Sequence, residues 1–490
     1  MKIEHLPEPE LEFGADKHVD IRFGLMNYAP FDAGEPRSPK EIRVGLVGTP
    51  ETIEGIQSWL EKCRSGIPAK KSNQPNLFPK FPGFGEGTHL GADLVFDIQL
   101  QKTILPGYFD DLCKNNPPES IVQQAVNRYL EELEMLNEKA GADVYVCAPP
   151  MKLVEALLAS ADGNKEKDKD EDTKQEAEEA QTVTDGFDFH HLLKAKGMKL
   201  DKPIQIILPM TYDESKRLRQ KGKNWKVREL QDEATRAWNI YTALYYKAGG
   251  TPWRIVRDSR QHTACYVGIS FYKTLDNSKL MTSIAQVFNE LGDGIILRGG
   301  KADFSKDDRQ PHLPKDDAFN LLDRALKTYR SEHQTLPARV VLHKTSAYSE
   351  EEFAGFREAL HKNQVSSADF ISLRDSYTRL YRLGQYPPLR GTLLSLSEKS
   401  HLLYTRGAVD FYATYPGQYV PRPLEFHSEA AERTPRFIAQ ELLALTKMNW
   451  NNTQFDNDNP ITIEAARKVG SILKYVGEND PLKNRYSYYM

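Results

Sequence analysis

The sequence lacks the features that are typical of secreted proteins, membrane proteins and proteins stabilised by structural zinc. Its four cysteines, Cys63, Cys113, Cys147 and Cys265, show no Cys-x-x-Cys spacing, which argues against a disulfide framework or a zinc ribbon and fits a reducing cytoplasm. No apolar run is long enough to span a bilayer. The first residues, MKIEHLPEPELEFG, lack the basic and apolar regions of a signal peptide. We therefore expect a cytoplasmic protein without a membrane segment.

Signatures of several large enzyme classes are also missing. The sequence contains no GxxxxGK[ST] phosphate loop, no HExxH zinc motif and no GxSxG nucleophile elbow. The net charge is −4, from 65 Lys and Arg against 69 Asp and Glu, so the average charge does not indicate nucleic-acid binding. Any phosphate-binding surface must be local.

The first half of the chain alternates strand-like and helix-like segments. A length of 490 residues is enough for two domains. The strand-like runs are IRVGLVGT from Ile42, ADLVFDIQL from Ala92, ADVYVCAP from Ala142 and PIQIILP from Pro203. This order predicts a parallel sheet with helices on both faces. The highly charged stretch 161–182 is predicted to be a solvated, disordered insert, with a functional acidic segment as the alternative.

The second half of the chain follows a different order. Three strand-like runs come first, ACYVGISFYK, SIAQVFNEL and DGIILRGG, followed by helices and strands in alternation and by a strand pair, LRGTLLSLSE and HLLYTRGAV. Three antiparallel strands followed by this alternation are typical of a ribonuclease-H-like fold. The overall prediction is therefore an α/β protein.

Four polar residues near the middle of the chain form a candidate anion site. His190 and Lys194 are one helical turn apart, Gln205 falls on the next strand, and Lys247 ends an apolar helix before Ala-Gly-Gly. Ammonium, imidazole and amide groups together suit a terminal phosphate. The stretch 186–250 holds 13 Lys and Arg against 7 Asp and Glu. Taken singly, each of the four is equally explained as a surface or helix-end residue.

These residues resemble a known family in their order and spacing. His-x-x-x-Lys, then Gln, then YKAGGTPW is similar to the guide-end pocket of the MID domain of Argonaute proteins, and the second half resembles a PIWI domain. The resemblance implies a segment leading into MID (1–40), a Rossmann-like MID domain (41–256) and a ribonuclease-H-like PIWI domain (257–490). We expect no N or PAZ domain before MID, which is the layout of a short prokaryotic Argonaute.

The resemblance implies that His190, Lys194, Gln205 and Lys247 hold the 5′-phosphate of a guide strand. Ala243 departs from the pattern, because many relatives have a further lysine there. The weaker positive charge leaves more of the binding to a structural Mg²⁺ ion. In some relatives the terminal carboxylate helps to hold that ion, and here Met490 is the candidate.

The same resemblance implies that the PIWI domain does not cut nucleic acid. Ser270 stands where the family has its first metal-binding aspartate, Lys344 lies in the His-Lys-Thr stretch at the second, and Arg467 aligns with the last ligand. Two-metal chemistry needs anionic oxygen ligands. We hypothesise instead that Lys344 and Arg467 contact the nucleic-acid backbone.

The resemblance finally implies a set of partners. These are a guide RNA, a single-stranded DNA target and a separate APAZ-domain protein whose sirtuin-like or TIR domain degrades NAD in defence against phages or plasmids. The alternatives are an APAZ partner with a nuclease domain, a nuclease in this chain with non-standard metal ligands, and an unrelated α/β enzyme.

Overall fold

The computed structural model describes most of the chain. The described residues are 1–139, 141–161, 188–216, 219–220, 226–227, 230–256, 263–287, 294–381, 383, 387–415, 417, 420–477 and 480–490. Beyond its first residue, the charged insert predicted at 161–182 lies outside them. The boundary predicted between 256 and 257 lies where a further gap begins.

Helices cover both sheets of the molecule. Within the described residues they are α1 (Ile21–Tyr28), α2 (Pro50–Arg64), α3 (Pro106–Asn115), α4 (Pro118–Lys139), α5 (Met151–Ala161), α6 (Phe189–Lys196), α7 (Pro209–Tyr212), α8 (Glu233–Lys247), α9 (Lys315–His333), α10 (Glu350–Lys362), α11 (Pro435–Leu445) and α12 (Ile461–Leu473). Among these, none is both long and apolar enough to cross a membrane.

The strands are shorter and more numerous. They are β1 (Lys2–His5), β2 (Leu11–Glu12), β3 (Lys17–His18), β4 (Glu41–Gly48), β5 (Asp93–Val95), β6 (Gln101–Thr103), β7 (Val144–Ala148), β8 (Ile204–Ile206), β9 (Arg219–Gln220), β10 (Lys226–Val227), β11 (Arg254–Ile255), β12 (Ala264–Lys273), β13 (Leu280–Val287), β14 (Gly294–Lys301), β15 (Asp303–Phe304), β16 (Pro311–His312), β17 (Arg339–Lys344), β18 (Ser367–Asp375), β19 (Thr392–Ser395), β20 (Ser400–Leu403) and β21 (Leu424–Ala430).

The smaller sheet is parallel and lies in the first half of the chain. Its order is β5-β4-β7-β8, with β6 beside the second half of β4. Val44 and Leu46 pack toward α2 and α8, whereas Val47 and Cys147 pack toward α4 and α6. A sheet buried on both faces explains why its central strands read as continuous apolar runs. The predicted parallel sheet with helices on both faces is confirmed.

The larger sheet, among the described residues, has nine strands in the order β1-β19-β20-β21-β18-β17-β12-β13-β14. Strands β12, β13 and β14 are antiparallel neighbours, and β12, β17 and β18 run parallel. Helices α9 and α10 cover one face, and α11 and α12 cover the other. The predicted ribonuclease-H-like order and the β19–β20 hairpin are both present.

The N-terminal segment touches both halves of the protein. Strand β1 pairs with β19 at the edge of the larger sheet, so the first residues belong structurally to the second half of the chain. Farther along, the Asp32 carboxylate accepts hydrogen bonds from the Tyr245 hydroxyl at 2.6 Å and from the Thr251 N–H at 2.8 Å. The segment therefore joins the two lobes, in addition to leading into the first.

A buried ion cluster fastens this segment. The Glu8 carboxylate lies 2.9 Å from Arg390 Nε and 3.1 Å from Lys447 Nζ, and both cationic side chains are almost fully buried. Lys447 also donates to the carbonyl oxygens of Pro9 and Val19. Burial raises the pKa of Glu8, but the charges of Arg390 and Lys447 outweigh it, and the net pKa is lowered.

We expect Glu8→Gln to destabilise the protein by about 3 kcal/mol, because it leaves two buried cations without their counter-charge. Chemical denaturation would measure the loss. The wild type should also lose stability as the pH falls through the lowered pKa of Glu8, because the carboxylate becomes protonated. The Glu8→Gln variant has no carboxylate at this position and should not show this part of the loss. Glu10→Gln, at an exposed neighbouring position, is the control. Equal stability of the two variants would contradict the role given to this cluster.

Candidate nucleic-acid interface

Helix α6 carries two of the predicted phosphate ligands and is fixed at its first turn. The Asp188 carboxylate caps the helix by accepting hydrogen bonds from the N–H groups of His190 at 2.8 Å and His191 at 3.3 Å. The Asp188 N–H donates to the Tyr475 hydroxyl at 3.0 Å, just beyond α12. The helix that bears His190 and Lys194 is thus attached to the second lobe.

Lys194 lies in the interior with its side chain only 3% exposed. Within the described residues no hydrogen bond or ion pair to its ammonium group is found. Burial, and then the charges of Lys247 and Lys468, lower the pKa of Lys194 well below its usual range, with Asp188 as a weaker opposing charge. A cationic group in this environment lacks the anion that would stabilise it.

His190 shares the same region. Its Nδ1 atom is buried and has no hydrogen-bond partner in the part of the chain that the structure describes. Burial first, and then the charge of Lys194, lower the pKa of His190 well below its usual range. The ring is therefore neutral at pH 7 in the unliganded protein, with an unsatisfied polar atom beside Lys194.

Lys247 is positioned by the end of α8. The helix stops at Ala248, and Gly249 follows with a φ of 99°, a conformation that favours glycine. The Lys247 ammonium donates to Asn451 Oδ1 at 3.3 Å. Burial, and then the charge of Lys468, lower the pKa of Lys247 to about 7.

Lys468 is a third lysine of this cluster and was missed by the sequence analysis. It lies on α12, in the second lobe, and its side chain is 33% exposed. Its Nζ atom is 2.9 Å from the Glu464 carboxylate one helical turn away. No local pattern identifies it, because only the packing of α12 against α6 brings it near Lys194 and Lys247.

Gln205 and Met490 remain predictions as ligands. Gln205 lies on β8, its Nε2 donates to the Ile206 carbonyl at 3.1 Å, and its Oε1 is buried without a partner among the described residues. Among the described residues, no hydrogen bond joins Gln205 to the lysines. Met490 is buried in the core that also contains Tyr246, next to Lys247. The structure thus brings together His190, Lys194 and Lys247, and adds Lys468.

Ser270, where the resemblance implies a metal ligand, lies on strand β12 of the larger sheet, which packs against α12. Gly268 and His343 are neighbours across β12 and β17, and both contact Thr462 of α12, His343 through a 2.9 Å hydrogen bond. Side chains two residues apart point to the same face of a strand. Ser270, which is neutral, therefore faces the same side as Gly268, and Thr345 is the first residue after β17.

Lys344 points to the opposite face, which corrects the hypothesis that it contacts a nucleic-acid backbone. Its side chain is fully buried and forms an ion pair with Glu352, 2.6 Å away, and donates to the Ala347 carbonyl at 2.7 Å. Its ammonium lies over the rings of Phe271 and Tyr348. Lys344 lies opposite Ile269 in the strand pairing, so the alternation of side chains turns it away from the face of Ser270.

Arg467 is exposed on α12, so its side chain remains available for a backbone contact. Across the described residues, no group of three or more His, Cys, Asp or Glu side chains is placed to hold a metal ion.

Comparisons with known proteins match this arrangement of two lobes. Argonaute of Clostridium butyricum, solved with a guide DNA and a 19-mer target DNA, superposes with a TM-score of 0.64 at 15% identity, over 98% of this chain and 53% of that one. The chain has the Argonaute fold. Argonaute of A. aeolicus gives a TM-score of 0.57 at 14% identity, over 100% of this chain and 56% of that one. Drosophila Piwi superposes with a TM-score of 0.56 at 12% identity, over 99% of this chain and 56% of that one.

Sequence comparison gives a shorter match to the same fold. The argonaute protein of Thermus thermophilus is 29% identical over 141 residues, which are 28% of this chain and 19% of that protein. No family model matches the chain. The chain spans about half the length of the solved structures that it matches. Its two lobes correspond to the MID and PIWI parts of the Argonaute fold.

We expect Lys194→Met to stabilise the unliganded protein by about 1 kcal/mol or more, because methionine fills a similar volume without an uncompensated charge. Urea denaturation in a buffer without phosphate or sulfate would measure the gain. Lys196→Met, on the exposed side of the same helix, should leave stability nearly unchanged. A loss of stability specific to Lys194→Met would show that the ammonium group has a compensating partner.

The lowered pKa of Lys247 predicts a pH dependence of stability. Between pH 7 and pH 10 the unfolded chain binds more protons at this residue than the folded protein, so stability should rise with pH, by at most about 1.4 kcal/mol per unit. The Lys247→Met variant lacks this contribution, and its stability advantage over the wild type should shrink as pH rises. A constant difference between the two proteins would contradict the shifted pKa.

Proposed function

We propose that the chain binds the 5′-phosphorylated end of a guide strand between its two lobes and holds the guide for pairing with a target strand. The observation that carries the proposal is the buried group formed by His190, Lys194 and Lys247, with Lys468 beside it. The charges of Lys194, Lys247 and Lys468 repel one another there, beside the neutral ring of His190. A phosphate dianion would compensate them and give them hydrogen-bond acceptors.

The nucleic acids are proposed from the family resemblance and the fold. The guide is a small RNA, and the target is a complementary single-stranded DNA. The Argonaute of Clostridium butyricum was solved with DNA in both roles, so guided pairing is compatible with this fold. Base pairing supplies the sequence specificity, and the protein contributes shape and backbone contacts.

We further propose that this chain does not cut the target. Ser270 and the stretch 343–345 offer no carboxylate where the resemblance implies metal ligands, and Arg467 is cationic. Hard divalent ions need carboxylates in such a site. A nuclease with non-standard ligands remains the second candidate, and a cleavage assay with Mg²⁺ and Mn²⁺ separates the two.

The output of target recognition then belongs to a partner chain. By the family resemblance, the partner carries an APAZ domain and a sirtuin-like or TIR domain that consumes NAD, or a nuclease domain, and acts in defence against phages or plasmids. A chain that recognises a target without cleaving it needs such an effector. Co-purification and NAD consumption in the presence of guide and target would test this part.

A structural Mg²⁺ ion at the guide end is a separate proposal. The pocket lysines disfavour a cation unless a phosphate is already bound. The unpartnered Gln205 Oε1 is a neutral oxygen suited to a hard ion, and the Met490 carboxylate is the predicted anionic ligand. With a phosphate bound, such an ion would neutralise the part of the phosphate's negative charge that the lysines do not balance.

The decisive measurement compares a short RNA with a 5′-phosphate and the same RNA with a 5′-hydroxyl, in Mg²⁺. We expect the phosphate to tighten binding roughly tenfold or more, since hydrogen bonds between charged groups contribute about 1.5–3 kcal/mol each. The Lys194→Ala, Lys247→Ala double variant should lose this preference, whereas Lys196→Ala keeps it. Equal binding of both RNA ends by the wild type would refute the phosphate pocket.

A further inference from the structure

Two exposed tyrosines follow strand β18 and take no part in the phosphate pocket. The strand ends at Asp375, and Tyr377 and Tyr381 come next with 85% and 75% of their surfaces exposed. Between them, the exposed Arg379 donates from Nη1 to the Ser376 carbonyl at 3.2 Å. Large aromatic side chains this exposed contribute little to folding, which indicates a binding surface.

The tyrosines lie at the carboxyl edge of the larger sheet. Strands β12, β17 and β18 are parallel, so their carboxyl ends meet at one edge. Lys344 at the end of β17 is opposite Ser372 of β18, and Asp375 is three residues beyond, about 10 Å along the strand. The tyrosine segment therefore begins on the same edge as Ser270.

The charges around the tyrosines favour a polyanion. Arg379 lies between the two tyrosines in the sequence. Arg374 precedes them, and its Nη2 donates to Gln310 Oε1 at 3.0 Å. Arg422 lies 3.6 Å from the Asp375 carboxylate and compensates that negative charge. Guanidinium groups alternating with aromatic rings match the alternation of phosphates and bases in a nucleic-acid strand.

We propose that Tyr377, Arg379 and Tyr381 form a binding surface for single-stranded nucleic acid. The rings stack on unpaired bases, and the guanidinium group contacts the backbone. Bases inside a duplex are already stacked on one another, so these rings have access only to unpaired nucleotides. The surface thus holds the unpaired part of a guide or target strand. The inference rests on the proposed function only in that a nucleic acid reaches this edge.

The test uses the full chain with fluorescent oligo(dT) and oligo(rU) of about 20 nucleotides, long enough to cover one stacking site. Both carry a 5′-hydroxyl, so the phosphate pocket does not contribute. We expect Tyr377→Ala and Tyr381→Ala each to weaken binding about fivefold or more, and the Tyr→Phe variants to retain it. A plot of the logarithm of the binding constant against the logarithm of the salt concentration has a negative slope. Arg379→Gln should reduce the magnitude of that slope by about 0.7, the contribution of one phosphate contact. Leu105→Ala, at an exposed apolar position of the first lobe, is the control.

The outcomes separate this inference from the phosphate pocket. The Lys194→Ala, Lys247→Ala variant should bind these 5′-hydroxyl probes like the wild type, whatever its effect on 5′-phosphorylated RNA. The two oligonucleotides show whether RNA or DNA is the better ligand. Unchanged binding in both Tyr→Ala variants would overturn the inference, and so would an equal loss of affinity for a blunt duplex. Loss of a protein partner, with oligonucleotide binding unaffected, would assign the surface to that partner instead.

Discussion

The close contact between α12 and β12 is the constraint on which the rest of the structure depends. A Cβ atom on Gly268 would lie 2.1 Å from the Thr462 carbonyl oxygen, so only glycine lets the helix backbone come this near. On the same helix, Gly470 faces Ser283 of β13, whose hydroxyl donates to the Ala466 carbonyl. Because α12 packs closely on the sheet, its other side contacts α6, and Lys468 lies near Lys194 and Lys247. The proposed phosphate pocket is therefore a product of packing between the lobes.

Burying several cationic groups together costs stability, and the cost itself points to a ligand. The lysines lose hydration and repel one another, and the shifted pKa values of Lys194 and Lys247 express that penalty. A bound phosphate would raise the lowered pKa of Lys247, so we expect binding above pH 7 to be accompanied by proton uptake at this residue. Lys447 and Arg390 show the contrasting case, because each is buried beside Glu8. Among the described residues, Lys468 is paired with Glu464, whereas no carboxylate forms an ion pair with Lys194 or Lys247.

The order of elements could be predicted from the sequence, whereas contacts between distant elements could not. Alternating apolar runs and glycine stops such as Gly249 are local signals, and they located both sheets and the helices that bear His190, Lys194 and Lys247. Lys468 and the pairing of β1 with β19 depend on which surfaces meet, about which periodicity says nothing. The hypothesis that Lys344 contacts a nucleic-acid backbone was wrong for a different reason. A shift of one residue along a strand places the side chain on the opposite face of the sheet.

The two faces of the larger sheet differ in charge near the end of β17. On one face, Lys344 and Glu352 form a fully buried ion pair, which holds the end of β17 against α10. On the opposite face, which α12 covers, the neutral Ser270 stands where the resemblance implies a carboxylate. A neutral group in place of a carboxylate removes repulsion toward a phosphate backbone as well as affinity for metal ions. Under the proposed function, the same side chain would therefore disfavour cleavage and favour retention of a bound strand.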